Sequence, residues 1–137
     1  MTKLHKEVIL GLYNASGKFP IIYTRQNIWD VYIKPDPLWF KCPLFPARYK
    51  NGLTGPWSDG YCKFRDWNEW KFWQYTASAD GAYWGMADNE ADLDYFNGTK
   101  VDLYKFAGKD YQEEPTLESK VATLWREAET HGWNLAP

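Results

Sequence analysis

Asp92 and Asp94 stand two residues apart in the run Ala91-Asp92-Leu93-Asp94-Tyr95-Phe96-Asn97-Gly98. In an extended strand that spacing puts both carboxyls on one face, just ahead of an Asn-Gly turn. Carboxyl groups at the C-terminal end of a strand are where α/β enzymes place acid–base chemistry. Upstream, Glu69–Thr76 alternates Trp70, Phe72 and Gln74 with Lys71, Trp73 and Tyr75, so bulky residues fall on both faces. A strand of that kind is buried between layers. Flat aromatic faces also hold sugar rings, whose axial C–H groups stack on them. The chain is 19% aromatic, with 9 Trp, 10 Tyr and 7 Phe, which makes a sugar surface worth seeking. Any single Trp is nevertheless more often core than binding surface.

Other reactive residues form no constellation. Asp88-Asn89-Glu90 has an acid-x-acid spacing but falls in the loop that enters a strand, where a solvated pair is the expected state. His5 and His131 lie far apart, and no Cys/His set has zinc spacing and no glycine-rich phosphate loop occurs, so neither a metal nor a cofactor is expected. Cys42 and Cys62 are close enough in sequence to close a loop by a disulfide, or are unpaired. The 16 basic and 18 acidic residues leave a net charge of −2, which argues against nucleic acid and anionic membranes as partners. No apolar run approaches the roughly 18 to 20 residues of a membrane span. The apolar patch Val8–Leu12 lacks the basic, apolar and small-residue order of a signal peptide, so none is expected.

The elements that must carry these residues follow in order along 137 residues, enough for one domain with a moderate core. Leu4, Val8, Ile9, Leu12 and Tyr13 keep a helical period over Lys3–Ser16, and Gly17 supplies the stop. Phe19–Thr24 is a continuous apolar, β-branched run, which predicts a buried strand. A short helix or turn is expected over Gln26–Ile33, before Pro35 and Pro37, and a second strand over Leu38–Cys42. Pro43–Asp66 is a long irregular segment, of the kind that is functional or packed on itself. Strands at Glu69–Thr76 and near Glu90–Phe96 and a short helix at Val101–Phe106 complete a domain over 1–110. After a polar linker at 111–116, Thr116 caps a helix that opens the 117–137 tail. Its Leu117, Val121, Leu124 and Ala128 form a coiled-coil-like seam too short to stand alone in water.

Taken in series, Phe19-Pro-Ile-Ile-Tyr-Thr24, Pro37-Leu-Trp-Phe40, Phe72-Trp-Gln-Tyr-Thr-Ala77 and Ala91-Asp-Leu-Asp-Tyr-Phe-Asn-Gly98 resemble the C-terminal half of a glycoside hydrolase family 25 lysozyme. The match runs over about Lys6 to Phe106. The resemblance implies an α/β fold, half of a modified TIM-like (β/α) barrel spanning roughly strands five to eight, plus the C-terminal helix. It implies an N-acetylmuramidase lineage of bacterial or phage type, acting on the cell wall from a secreted or phage-released position. By the same resemblance Asp92 is the supporting carboxylate of the catalytic pocket. Tyr23, Trp39, Trp73, Gln74, Tyr75 and Asp94 then line the sugar, with Asp94 where the family carries Asn. Lys41-Cys42-Pro43 departs from the small residue and aromatic usual after the Trp strand.

Glycoside hydrolysis needs two carboxyl groups flanking the scissile bond. The family's Asp-x-Glu pair and first-strand Asp belong to a half with no counterpart before Phe19, where the acid is Glu7. The expectation is therefore a lysozyme-like half-barrel inactive or very weak by itself, completed by a homodimer or a complementary half-barrel chain on peptidoglycan or a related glycan. A non-catalytic glycan-binding module and a structural scaffold are the alternatives. An open four-stranded parallel sheet would leave unpaired edges and an exposed apolar face that something must cover.

Overall fold

The computed structural model describes residues 2–58, 64–87 and 90–131. Two compact units divide the chain between Thr99 and Lys100. In the first unit α1 (Thr2–Ser16) leads through a turn into β1 (Ile22–Thr24), followed by α2 (Gln26–Tyr32) and a single 3-10 turn at Trp39–Lys41. Next come β2 (Leu44–Pro46), β3 (Phe72–Asp80), a 3-10 turn at Ala82–Trp84 and β4 (Glu90–Phe96). The second unit holds α3 (Lys100–Phe106) and α4 (Leu117–Thr130).

Local chemistry sets most of these bounds. Gly17 ends α1 with φ at 70°, a left-handed value that suits glycine, while its N–H reaches the Tyr13 carbonyl at 2.7 Å. Ile33 is already extended after α2, and the following Lys34 is held off the helical region by Pro35. In the second unit the Thr116 hydroxyl accepts the Ser119 N–H at 3.1 Å, the N-cap expected of it. Gly108, at φ 71°, closes α3, and the Lys109 N–H returns to the Tyr104 carbonyl at 2.9 Å.

The second expected strand is misplaced. Leu38–Cys42 does not extend but winds into the 3-10 turn, because Asp36 Oδ1 accepts the Leu38 N–H at 2.9 Å and starts a chain of tight turns. The strand forms instead at Leu44–Pro46, inside the segment expected to be irregular, and pairs in parallel with β1 through Ile22–Leu44, Tyr23–Phe45 and Thr24–Pro46. A proline can end this short strand because its missing N–H falls where the ladder stops. β3 also runs four residues beyond Thr76, through the weak strand formers Ala77-Ser78-Ala79-Asp80, because β4 supplies partners as far as Asp80–Glu90.

Four parallel strands are not what forms. β1 and β2 are parallel, but β3 and β4 make an antiparallel pair with two register shifts, and no closed barrel occurs among the described residues. The two ladders meet at a parallel bridge between Ala47 and Gln74, flanked by Lys71 N–H to Leu44 O at 2.8 Å and Arg48 N–H to Gln74 O at 3.0 Å. The architecture is mixed α and β, with Gln74 at the seam between the ladders.

Behind the sheet lies a core of Ile9, Trp29, Ile33, Trp39, Cys42, Leu44, Phe64 and Trp67. Trp29 meets Trp39 edge-on at 5.3 Å and Trp67 at 4.8 Å. Their indole N–H groups donate to Asp66 Oδ2, the Lys34 carbonyl and the Cys42 carbonyl at 2.8–2.9 Å. Burial without partners would cost each about 1–3 kcal/mol. Burial also pushes the Cys42 thiol up to about 11, so it sits in the core as a protonated, unreactive group. Cys62, the other half of the disulfide question, lies outside the described residues, as do Asp88 and Asn89 of the loop pair.

Candidate functional site

Gln74 is 4% exposed and its amide is almost fully used. Its Oε1 accepts the Tyr23 hydroxyl at 2.6 Å and also the Tyr49 hydroxyl, and its Nε2 donates to Asp92 Oδ2 at 2.7 Å. Asp92 settles the orientation, because a carboxylate accepts hydrogen bonds and must face the amide NH2. The amide oxygen then faces both tyrosines, so each of them donates inward and turns its remaining lone pairs outward. β1 brings Tyr23, the segment after β2 brings Tyr49, β3 brings Gln74 and β4 brings Asp92. Four stretches far apart in sequence therefore meet at one buried amide.

The protonation states fit that orientation. Partial burial, then the hydrogen bond and charge of Tyr49, push the Tyr23 phenol up to about 12, against a smaller opposing pull from Arg25. Tyr23 is thus a donor to Gln74 at any ordinary pH. Asp94, the cross-strand partner of Gln74, is raised above the usual carboxylate value by desolvation first and by the Asp92 charge second. Asp92 is clamped by Gln74, and Asp94 on the same strand face holds its proton to higher pH than an ordinary carboxyl does.

On the other face of the β3–β4 pair from Gln74 and Asp92 runs an aromatic wall. Tyr75 stacks on Tyr95 at 4.6 Å, and both ring centroids lie within 6 Å of Trp73. With Tyr49, Lys50 and Asn51 opposite, these rings border an open groove of about 820 Å³. Tyr49 belongs to both groove and clamp, with the Arg25 guanidinium 5.2 Å from its ring centre. A cleft walled by aromatic rings and bordered by the hydroxyl-bearing Tyr49, Thr76 and Ser78 suits a polar ring-shaped ligand. Among the described residues, no three potential metal ligands come together.

No protein family matches this sequence, and no curated protein matches it. Among solved structures, the muramidase from Acremonium alcalophilum aligns with 74% of this chain at 21% identity, with a TM-score of 0.57. The fold is lysozyme-like. The chain spans 42% of that muramidase. The CTP1L endolysin overlaps more loosely, over 77% of this chain and 34% of its own, at 18% identity and a TM-score of 0.47. At the level of fold, the resemblance carried by the four sequence runs is borne out.

Within the lysozyme-like fold the expected site residues separate into two groups. Tyr23, Gln74 and Asp92 converge directly, Asp94 adjoins them, and Tyr75 stands in the groove wall. Trp39 does not join them. It is 0% exposed in the core, with no ring face available to a sugar, because the 3-10 turn points it inward where a strand was expected. Trp73 reaches the groove only at an edge, being 2% exposed with its indole N–H given to the Arg48 carbonyl at 3.0 Å. Two participants were missed. Tyr49 sits in the stretch expected to be irregular, and nothing local marks it. Tyr95 lies next to Asp94 in the quoted motif and was legible as the aromatic opposite Trp73, had the antiparallel register been foreseen.

Proposed function

We propose that this chain is the glycan-holding part of a lysozyme-like peptidoglycan hydrolase. In this reading it is a half-barrel, roughly strands five to eight, whose groove receives the β-linked amino sugars of the cell wall. Tyr75 and Tyr95 stack against a sugar ring on one face of the β3–β4 pair, while on the other face the outward lone pairs of Tyr23 and Tyr49 accept amide and hydroxyl protons of the glycan. Asp92, fixed by Gln74, places a negative charge where a glycosidic transition state develops positive charge. The clamp of Tyr23, Tyr49, Gln74 and Asp92, whose Tyr49 also lines the groove, is the observation that supports this most.

Hydrolysis requires a carboxyl group on each side of the bond. Asp92 and Asp94 come from one strand, two residues apart, and so approach a ligand from the same side. In this reading the second catalytic carboxyl comes from a partner chain or a second copy, and the chain alone binds glycan with little or no cleavage. Sedimentation with insoluble peptidoglycan and clearing of a cell-wall suspension test the two parts. The chain is expected to co-sediment and not to clear. Failure to co-sediment would overturn the glycan reading, whereas clearing that disappears in Asp92→Asn would show that no partner is needed.

A further inference from the structure

β1 and β2 run parallel side by side, so the chain leaves both at the same end of the pair. Arg25 stands one residue beyond β1 and Arg48 two residues beyond β2. The Ala47 N–H donates to the Thr24 carbonyl at 2.9 Å, which ties the two exits together. The Arg48 backbone is held as well. Its N–H donates to the Gln74 carbonyl and its own carbonyl accepts the Trp73 indole N–H, each at 3.0 Å. Space outside the carboxyl ends of parallel strands is where α/β folds bind ligands.

That space is a cavity of about 370 Å³, bordered by Arg25, Gln26, Asn27, Ala47, Arg48 and Tyr49. Two guanidiniums therefore share one cavity with two side-chain amides and a phenol ring, and among the described residues that border it none is acidic. Asp30 accepts a hydrogen bond from the Gln26 amide at 2.9 Å without bordering the cavity. Arg25 makes no ion pair among the described residues, and its guanidinium lies 5.2 Å from the Tyr49 ring centre. Two positive charges gathered around one cavity repel each other and attract an anion. A guanidinium presents its N–H groups as a planar fork, and the ligand that matches it is a planar carboxylate held by parallel bonds. The volume lies toward the lower end for ligand cavities and suits a small acidic group of a larger ligand.

We propose that this cavity binds a carboxylate of the peptide that peptidoglycan carries on its sugars, so that the chain holds glycan and peptide together. The inference rests on the glycan reading and adds a second kind of group to it. Tyr49 supplies the continuity. It borders the arginine cavity and the aromatic groove alike, and its hydroxyl donates to Gln74 in the clamp. A ligand seated at Tyr49 is within reach of both the stacking rings and the guanidiniums.

Calorimetric titration of the full 137-residue chain tests this with one soluble peptidoglycan fragment in three forms. One form bears its peptide, one has every carboxyl converted to a carboxamide, and one is stripped of peptide. The peptide-bearing form should bind about tenfold or more tighter than the carboxamide, as expected of hydrogen bonds to a charged group. Arg25→Gln should erase that preference. Arg25 is exposed, so the variant keeps its fold, which circular dichroism verifies. Arg48→Lys, which keeps the charge and loses the fork, should retain only part of the preference. Equal affinity for the peptide-bearing and carboxamide forms overturns the inference and leaves the glycan reading standing. A preference that survives Arg25→Gln combined with Arg48→Gln overturns it too, because the carboxylate then sits elsewhere. A stripped form that binds as tightly as the peptide-bearing one, through the lactyl carboxylate freed on its sugar, overturns the assignment to peptide. Absence of binding by all three forms overturns the glycan reading and this inference with it.

Discussion

The core tryptophans and the hairpin tyrosines draw on one aromatic-rich composition, yet the fold puts them to opposite uses. Trp29, Trp39 and Trp67 each give their single polar atom to an interior acceptor, after which the rest of the ring is packing surface. Tyr75 and Tyr95 stack on one another but stay partly open along the groove. A Trp N–H is satisfied by one acceptor, so a core can absorb the residue whole. A Tyr hydroxyl both donates and accepts, so a half-buried tyrosine still has something to offer a ligand. Trp29, Trp39 and Trp67 therefore serve stability, whereas the groove surface is written mainly in tyrosine.

Substitutions can break that division, beginning with the largest effect. Trp39→Ala should cost about 3–5 kcal/mol in urea denaturation, the range for emptying a fully packed aromatic site. If it weakened glycan binding without loss of stability, Trp39 would belong to the site after all. Asp66→Ala should cost about 1–3 kcal/mol, because it orphans the buried Trp29 N–H, and Asp66→Asn should restore part of it through its amide oxygen. Tyr95→Ala should weaken glycan binding about tenfold while costing no more than about 1.5 kcal/mol of stability, the worth of an aromatic pair.

Two smaller effects concern pH. The folded chain keeps the Tyr23 proton up to about 12, while the unfolded chain releases it near 10.0. This contribution to stability is whole below pH 10.0 and is lost as pH rises toward 12. Alkaline difference spectra should show a late-titrating phenol that Tyr23→Phe removes. Asp94 likewise has a raised folded value, so its contribution is present at acid pH and lost as pH rises past its folded value. Asp94→Asn should therefore be neutral or slightly stabilising at neutral pH in thermal melts, the smallest change of the set.

Much of the fold was legible because it follows local rules. The period of Leu4, Val8, Ile9 and Leu12, the Gly17 stop and the Thr116 cap each act within a turn or two and were readable from neighbouring residues. Where long-range pairing decides, the sequence was a poorer guide. Trp39 has strand-like neighbours, yet one Asp36 side chain winds the segment into a turn. Ala77–Asp80 has no strand character until β4 lies beside it. The site shows the same split. Asp92, Gln74 and Tyr23 were found through motif runs, whereas Tyr49 depends on the Ala47–Gln74 bridge, a contact between segments that no local pattern announces.

The central claim is that the tyrosine wall and the Gln74–Asp92 clamp, on the two faces of the β3–β4 pair and linked through Tyr49, both hold glycan, and calorimetric titration with soluble peptidoglycan fragments tests it most directly. The account predicts that the chain binds, that Tyr75→Ala with Tyr95→Ala abolishes measurable binding, and that Gln74→Leu weakens it by releasing Asp92. Undiminished binding in both variants, with the fold intact, would contradict it.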